Sequence, residues 1–489
     1  MKNNLFLMLA ILAFFPAFAE RTVICGKFAN DPPVSVTLQY YATVLDMGER
    51  NKTVHRQKIN KDASFRFVID TDRPLSLQML SDGIGYCGGG NWLFYNKYIL
   101  PGDSVHFTFS DTAINIEGTA EDYMSFQFEY QQHFNNDDSV KSYNDNWKLP
   151  THLDFAAAMK GRLERHLQYF DSYFKGKDVP ELFRKTYRAD EEIDFAVNMV
   201  QYSWRSKKGG VALNDKAYWA YIKDIDFNSP DYMLVDRYMH LLRELPYGIL
   251  SAMEKTVDSV AARAINKKQY QLRDSISRVY FKGKVYDYAL YNLMLEQVKM
   301  LHYQKGTDEF VPYQNKAQKI MEDLAAHMTD KGLYERALEQ MRTLNGPRQP
   351  APDFTAHDIN DKEVKLSDLK GKVVYIDFWA TSCAPCVAEL PYIKRMQEHY
   401  KNNEDIVMLY VSFDNNGMAL QKFLKEKSFA GLHWVDGRSF ASEAAEKYKI
   451  SGIPRYIVVD REGMLVTSDA QRPSENPYAV LNTVLNEGK

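Results

Sequence analysis

The sequence predicts a multidomain protein: an N-terminal antiparallel β-sandwich, a central α-helical domain and a C-terminal α/β unit. Three observations carry this. Short runs alternate apolar and polar residues through the first quarter. Apolar residues spaced three and four apart fill the middle. A β-branched and aromatic run followed directly by a helical pattern stands in the last third. With 489 residues, 45% hydrophobic and 26% charged, the chain is long enough for several cored domains of ordinary globular composition. A formal net charge of −3 gives no electrostatic case for nucleic acid or an anionic membrane surface as a partner.

The N-terminus reads as an address. Lys2 precedes the apolar segment Leu5 to Phe15 and then Ala17-Phe18-Ala19, the pattern of a signal peptide over 1–19 with cleavage before Glu20. The apolar segment is too short to span a bilayer, and no later run of about 18 apolar residues follows, so no span is expected in the mature chain. Cys25 follows Val23-Ile24 rather than the small residues of a lipoprotein signal, which predicts soluble export.

Residues 20–118 carry the strand patterns of the sandwich. Val34-Ser35-Val36-Thr37-Leu38, Ser64 to Ile69 and Val105 to Phe109 alternate, and Pro32-Pro33, Asp82-Gly83 and Pro101-Gly102-Asp103 punctuate them. Only four cysteines in an exported chain of this length exclude a disulfide-built framework. Cys25 and Cys87 leave two readings, a bridge within this domain or two free thiols. Cys87 sits in Tyr86-Cys87-Gly88-Gly89-Gly90 with no Lys-Ser/Thr after it, so a phosphate loop is not expected.

From 119 to 345 the pattern is helical. Phe155, Met159, Leu163, Leu167, Phe170 and Phe174 form one apolar stripe, and similar patterns run through Ile249–Ile265 and Ala317–Met341. No repeat of fixed length is present, which argues against a solenoid. The stripes are core, and no cofactor is expected. Eleven scattered histidines without a His-Glu-x-x-His predict no metal site. The proline-rich segment 346–352 reads as a stiff linker, with Gly346 as a helix stop.

The α/β unit, 353–489, holds the chemistry. Val373-Val374-Tyr375-Ile376-Asp377-Phe378 reads as a buried strand, and Val387 to Tyr400 as one helix with Leu390, Ile393 and Met396 on one face. Between them stand Cys383 and Cys386, three apart, with Cys383 at a helix N-terminus. Orphan amides and the helix dipole there favour a thiolate, lowering a thiol pKa from about 8.5 to roughly 3.5–7.5. Helix positions three apart have Cβ atoms about 5–6 Å apart, close enough to bridge after slight adjustment. Cys383 can therefore attack a disulfide and Cys386 resolve the mixed disulfide. Zinc would need two further ligands, and no second Cys-x-x-Cys or paired histidine supplies them.

Asp377-Phe378-Trp379-Ala380, Pro385 between the cysteines, and Gly452-Ile453-Pro454 together resemble thioredoxin. The string Cys383-Ala384-Pro385-Cys386-Val387-Ala388-Glu389-Leu390-Pro391 is more similar to the TlpA/ResA branch of periplasmic thiol–disulfide oxidoreductases. So are Pro350-Ala351-Pro352-Asp353-Phe354 and Val364 to Lys372, so that the resemblance covers 350–489. More weakly, the turn Leu100 to Val105 and the end Ile116-Glu117-Gly118 resemble the domain that precedes such modules in many Bacteroidetes proteins.

The resemblance implies a thioredoxin fold and a role for each matched residue. Pro454 is expected to be cis and to pack against the disulfide, leaving the backbone before it free to pair with a substrate. Trp379, Ala384, Pro385 and Ile453 are assigned to substrate binding. Asp377 matches a buried aspartate near the resolving cysteine, where burial raises its pKa and lets it take the Cys386 proton. The alternative is a strand-end aspartate facing solvent. Glu389 matches the glutamate of the TlpA/ResA pattern, with an exposed helix residue as its alternative. Ser382 replaces a tryptophan, Ala384 a glycine, and Asp377 an asparagine common in the branch.

Those departures bear on redox potential, which across this fold runs from roughly −270 to −120 mV, on the order of 7 kcal/mol. Ala384-Pro385 and Ile453 sit nearer its reducing side. The implied activity is a periplasmic protein-disulfide reductase whose partners are a disulfide-bearing protein and a membrane thiol donor. Two rivals remain. A thiol peroxidase on the same fold would want threonine or serine where Ala380 stands and proline where Ile376 stands. A binding protein with an accessory redox module is the other.

Overall fold

The computed structural model describes residues 19–487 except 31, 34, 50, 82–91, 111–112, 136–146, 207–209, 305–308, 345–347, 415–416, 436, 438, 451 and 476. Residues 1–18 of the signal segment, Cys87 and Gly346 lie outside the described residues, and with Cys87 the choice between a Cys25–Cys87 bridge and free thiols.

Alternation builds the first unit as expected. It comprises β1 (Glu20–Phe28), β2 (Ser35–Tyr40), α1 (Val44–Glu49), β3 (Thr53–Lys58), β4 (Ser64–Thr71), β5 (Leu75–Ser81), β6 (Trp92–Ile99), β7 (Ser104–Phe109) and β8 (Ile114–Gly118). On β4, Phe65, Phe67 and Ile69 are buried while Arg66, Val68 and Asp70 face out, the period of a half-buried strand. Two four-stranded sheets result, ordered β4-β1-β7-β8 and β3-β2-β5-β6. All pairs are antiparallel except β1 with β7, which run parallel with Ile24 opposite Val105. Gly26 allows that approach, since a Cβ there would lie 2.7 Å from the Phe107 carbonyl oxygen and from the Phe65 ring.

Both front units share cores across the expected boundary. The next helices are α2 (Glu121–Asn135), α3 (His152–Tyr173) and α4 (Glu181–Arg205). Tyr123, Phe126, Phe170, Phe174, Phe183 and Tyr187 on or beside them join the sandwich core around Phe65 and Phe107. Conversely, Val44 of α1 lies in the helical core. Thr151 caps α3 in a capping box with Asp154.

The helical unit continues with α5 (Tyr238–Glu254), α6 (Ser259–Lys267), α7 (Gln269–Tyr280), α8 (Gly283–Gln304), α9 (Phe310–Ala325) and α10 (Lys331–Leu344). Two patterns read as continuous are broken. The Ile249–Ile265 pattern stops at Glu254 and restarts where Asp258 accepts from the amides of Val260 and Ala261. No residue of α6 is buried, so its stripe is not core. The Ala317–Met341 pattern breaks after Ala325. There the buried carboxylate of Asp287 accepts from the amides of Thr329 and Asp330, both at 2.9 Å. No described helix is long and apolar enough to cross a membrane.

The last unit is a seven-stranded sheet ordered β10-β9-β13-β12-β11-β14-β15. Its strands are β9 (Thr355–Asp358), β10 (Glu363–Lys365), β11 (Val373–Trp379), β12 (Ile406–Ser412), β13 (Leu432–Val435), β14 (Arg455–Val459) and β15 (Leu465–Thr467). Its helices are α11 (Ala384–Ala388), α12 (Leu390–Tyr400), α13 (Gly417–Lys427), α14 (Glu443–Lys447) and α15 (Tyr478–Asn486). β11 runs parallel to β12 and antiparallel to β14. All seven of its residues are buried, because apolar clusters cover both faces of the sheet.

The shared aromatic core yields a stability prediction. Phe126 is fully buried and its ring meets those of Phe170, Phe174 and Tyr187. Phe126→Ala should cost about 3–5 kcal/mol, read as an earlier urea transition in far-ultraviolet circular dichroism. An unchanged midpoint would contradict a common core for sandwich and helices.

Candidate active site

The redox pair is set by the end of β11 and the turn after it. The Cys383 amide donates to the Ala380 carbonyl at 3.1 Å. Asp414, beyond β12, anchors the same turn by accepting from the amide and hydroxyl of Thr381, the latter at 2.7 Å. Cys383 is the N-cap of α11, and the Cys386 amide donates to its Sγ at 3.2 Å. Pro385 stands at the start of that helix, where an amide is not required.

Cys383 and Cys386 are joined in a disulfide with Cα atoms 5.2 Å apart. The two sulfurs are not equivalent. Cys383 is half-buried, whereas Cys386 is 3% exposed. Ala384 and Pro385 are exposed beside the bond. Ile453, joined to Pro454 by a cis peptide, packs with Cys383 against the apolar cluster that contains Cys386. The amides of Gly452 and Ile453 donate no hydrogen bond among the described residues. Trp379 is placed differently from expectation. It is 1% exposed and its ring packs on Phe423 and Phe429, so it supports the site from beneath rather than presenting a surface to a substrate.

Two carboxylates lie behind the pair. Asp377 shares a face of β11 with Trp379, whose ring packs in one cluster with Cys386. It is 2% exposed and its Oδ1 has no hydrogen-bond partner among the described residues. Burial, reinforced by the nearby charge of Glu389, pushes its carboxyl well above the usual range. The solvent-facing alternative for Asp377 is therefore excluded.

Glu389 is also buried, at 6% exposure. The expected single helix Val387–Tyr400 divides there into α11 and α12. Pro391 has no amide for the carbonyl four residues back, so the hydrogen-bond ladder is interrupted there. Ser474 then clamps Glu389, its amide at 3.0 Å and its hydroxyl at 2.9 Å from the two carboxylate oxygens. The pair thus reaches from the core beneath Cys386 to an exposed turn.

His433 completes the buried layer. It stacks on Tyr410 with ring centroids 5.0 Å apart, and its Nε2 lies 3.1 Å from the Phe429 carbonyl oxygen. Burial holds its pKa at about 4, so it is neutral at physiological pH. The sequence reading missed Asp414, Ser474 and His433. Each lies far along the chain from the cysteines, and none stands in a motif. Away from this site, Cys25 is half-buried with its Sγ 3.4 Å from His106 Nδ1.

Residues 347–485 match the Redoxin family. The chain is 31% identical over 116 residues to the thiol-disulfide oxidoreductase ResA of Bacillus subtilis, a match covering 24% of this chain and 63% of that protein. The like-named protein of Oceanobacillus iheyensis is 33% identical over 119 residues, covering 23% and 59%. This chain thus spans less than two thirds of the length of these relatives. Among solved structures, the thioredoxin domain of a thiol-disulfide oxidoreductase from Bacteroides vulgatus is 27% identical, with a TM-score of 0.26, covering 28% of this chain and 98% of that one.

The buried aspartate gives a prediction with a definite sign. A carboxyl pKa raised in the folded state means the folded chain keeps a proton that the unfolded chain releases above about pH 3.9. Stability therefore falls as pH rises from that value through the folded pKa, by up to about 1.4 kcal/mol per pH unit. Asp377→Asn should remove this loss. The stability of Asp377→Asn relative to the wild type in urea unfolding should therefore rise as pH is raised above about 4. A difference independent of pH would contradict the assigned protonation.

Proposed function

We propose that the C-terminal Redoxin domain makes this chain an exported thiol–disulfide oxidoreductase that reduces protein disulfides. The observation that carries the reading is the asymmetry of the bonded pair: Cys383 half-buried at a helix N-cap, Cys386 buried behind it. In the bonded pair the Cys386 amide donates to Cys383 Sγ at 3.2 Å, and the same amide kept in place after reduction favours the Cys383 thiolate as attacking group.

The thiolate of Cys383 attacks one sulfur of a substrate disulfide. A mixed disulfide forms and the other substrate sulfur leaves as a thiolate, which takes up a proton. Cys386 then loses its proton and attacks Cys383 Sγ. The Cys383–Cys386 bond forms, the second substrate sulfur departs, and two electrons have passed to the substrate. Asp377 supports the second step as proton acceptor, since its raised pKa brings it nearer to the working pH than an ordinary carboxylate. Ala384, Pro385 and Ile453 bind the substrate, and the amides of Gly452 and Ile453, without an acceptor among the described residues, are suited to hold an extended segment beside the sulfurs.

Direction and compartment belong to the same proposal. Ala384-Pro385 between the cysteines and Ile453 before the proline support reduction. Lys2, the apolar Leu5 to Phe15 and Ala17-Phe18-Ala19 support export with cleavage before Glu20. In a periplasm held oxidising, a reductase needs a thiol donor to reset Cys383 and Cys386, and a membrane thiol protein is the natural class.

The test uses residues 20–489. Insulin reduction in the presence of dithiothreitol should be accelerated by the wild type and abolished by Cys383→Ser. Cys386→Ser should accumulate a mixed disulfide on Cys383, read by mass spectrometry under non-reducing conditions. Peroxide turnover faster than disulfide turnover would replace this reading with a thiol peroxidase.

A further inference from the structure

We propose that the cleft between the Pro454 loop and the helical domain receives an acidic segment of the disulfide-bearing polypeptide, so that the front domains select the substrate. The proposal rests on the oxidoreductase reading above. A cavity of about 980 Å³ lies at this junction, walled by all three units. The sandwich unit supplies Gly48 and Glu49 of α1, the helical unit Arg243 of α5 and Lys299 of α8, and the Redoxin domain Gly452-Ile453-Pro454 with Lys449 and Arg472. At that size it lies at the upper end of pockets that enclose small ligands, enough for a few residues of extended chain.

The junction is held from outside the cleft. Arg56 of β3 lies 3.5 Å from Glu446 of α14, and β5 touches the turn at Ser439–Ala441. The cleft is lined by the loop whose Gly452 and Ile453 amides donate no hydrogen bond among the described residues. A segment laid against that loop to bring its sulfur to Cys383 would continue into the cleft. The helical domain then contacts residues that flank the disulfide.

Charge decides what those residues are. Five basic side chains line the cleft, Arg243, Lys299, Lys449, Arg455 and Arg472, against three acidic ones. Each acid is already engaged by an arginine. Glu49 is held by Arg336, Glu296 by both terminal nitrogens of Arg273, and Asp469 by Arg455 at 3.2 Å. Among the bases, Arg243 is engaged by Glu244. Lys449 and Arg472 enter no ion pair among the described residues, and Lys449 is exposed. A concave wall with cations in excess concentrates its field and draws negative side chains. This runs against the net charge of −3 of the whole chain, so the positive cleft is a local arrangement.

The test compares two disulfide-bearing peptides, identical around the disulfide and flanked by glutamates in one and lysines in the other. Reduced chain 20–489 should oxidise on the acidic peptide at least about tenfold faster at low ionic strength. The preference should shrink as salt is added. Lys449→Glu and, separately, Arg472→Glu should each lower the ratio between the two peptides. Hydroxyethyl disulfide serves as an uncharged probe. If the wild type reduces it yet treats both peptides alike, the cleft proposal is overturned and the oxidoreductase reading stands. If the wild type reduces none of the three, the oxidoreductase reading itself fails.

Discussion

The redox end of the molecule depends on the complete burial of β11. A central strand covered on both faces can satisfy its backbone through its neighbours, but it has no water for a charged side chain. Asp377 sits in the middle of that strand. Its Oδ1, without a partner among the described residues, and its raised pKa follow from the same packing that puts Trp379 in one cluster with Cys386. Burying a carboxyl costs stability. A buried carboxyl with a strongly raised pKa, on the same strand face as the tryptophan that packs with Cys386, is a candidate functional group. Glu389, clamped by Ser474, extends this buried acid toward the surface.

The same logic explains the break between α11 and α12. A continuous helix through Glu389 would need an amide that Pro391 cannot give. The two helices meet at that residue with its side chain turned into the domain, at 6% exposure. One sequence feature, proline two residues after the glutamate, thus fixes both helix geometry and the position of the second carboxylate. The neutral His433 and the Tyr410 phenol, its pKa raised by burial, fill the layer behind.

Legibility in the sequence followed locality. The strand, the cysteine pair and the helical N-cap all lie between Val373 and Cys386, and their pattern determined their structure. Asp377 was legible because it lies in an apolar run, and Ile453-Pro454 through resemblance. Asp414 and Ser474 were not, because each reaches the site by a hydrogen bond across tens of residues from a loop without a pattern. Trp379 was read as substrate-facing because the motif lies beside the cysteines. A strand-end residue points to one face or the other, and here that face is covered by Phe423 and Phe429. In the front units, sheet and helix were distinguishable by period, but their common core was not. Which helix face meets which sheet face is set by the aromatic cluster around Phe126, and no local signal encodes it.

The central claim is that Cys383 and Cys386 form an exchanging redox couple and not a structural staple. Its most direct measurement is the midpoint potential of that couple, obtained by equilibrating the full chain 20–489 with dithiothreitol buffers and counting thiols by mass after alkylation. The account predicts one two-electron transition between roughly −270 and −120 mV, where thioredoxin-fold exchange proteins operate. A bond that stays closed down to about −300 mV, as structural disulfides do, would contradict it.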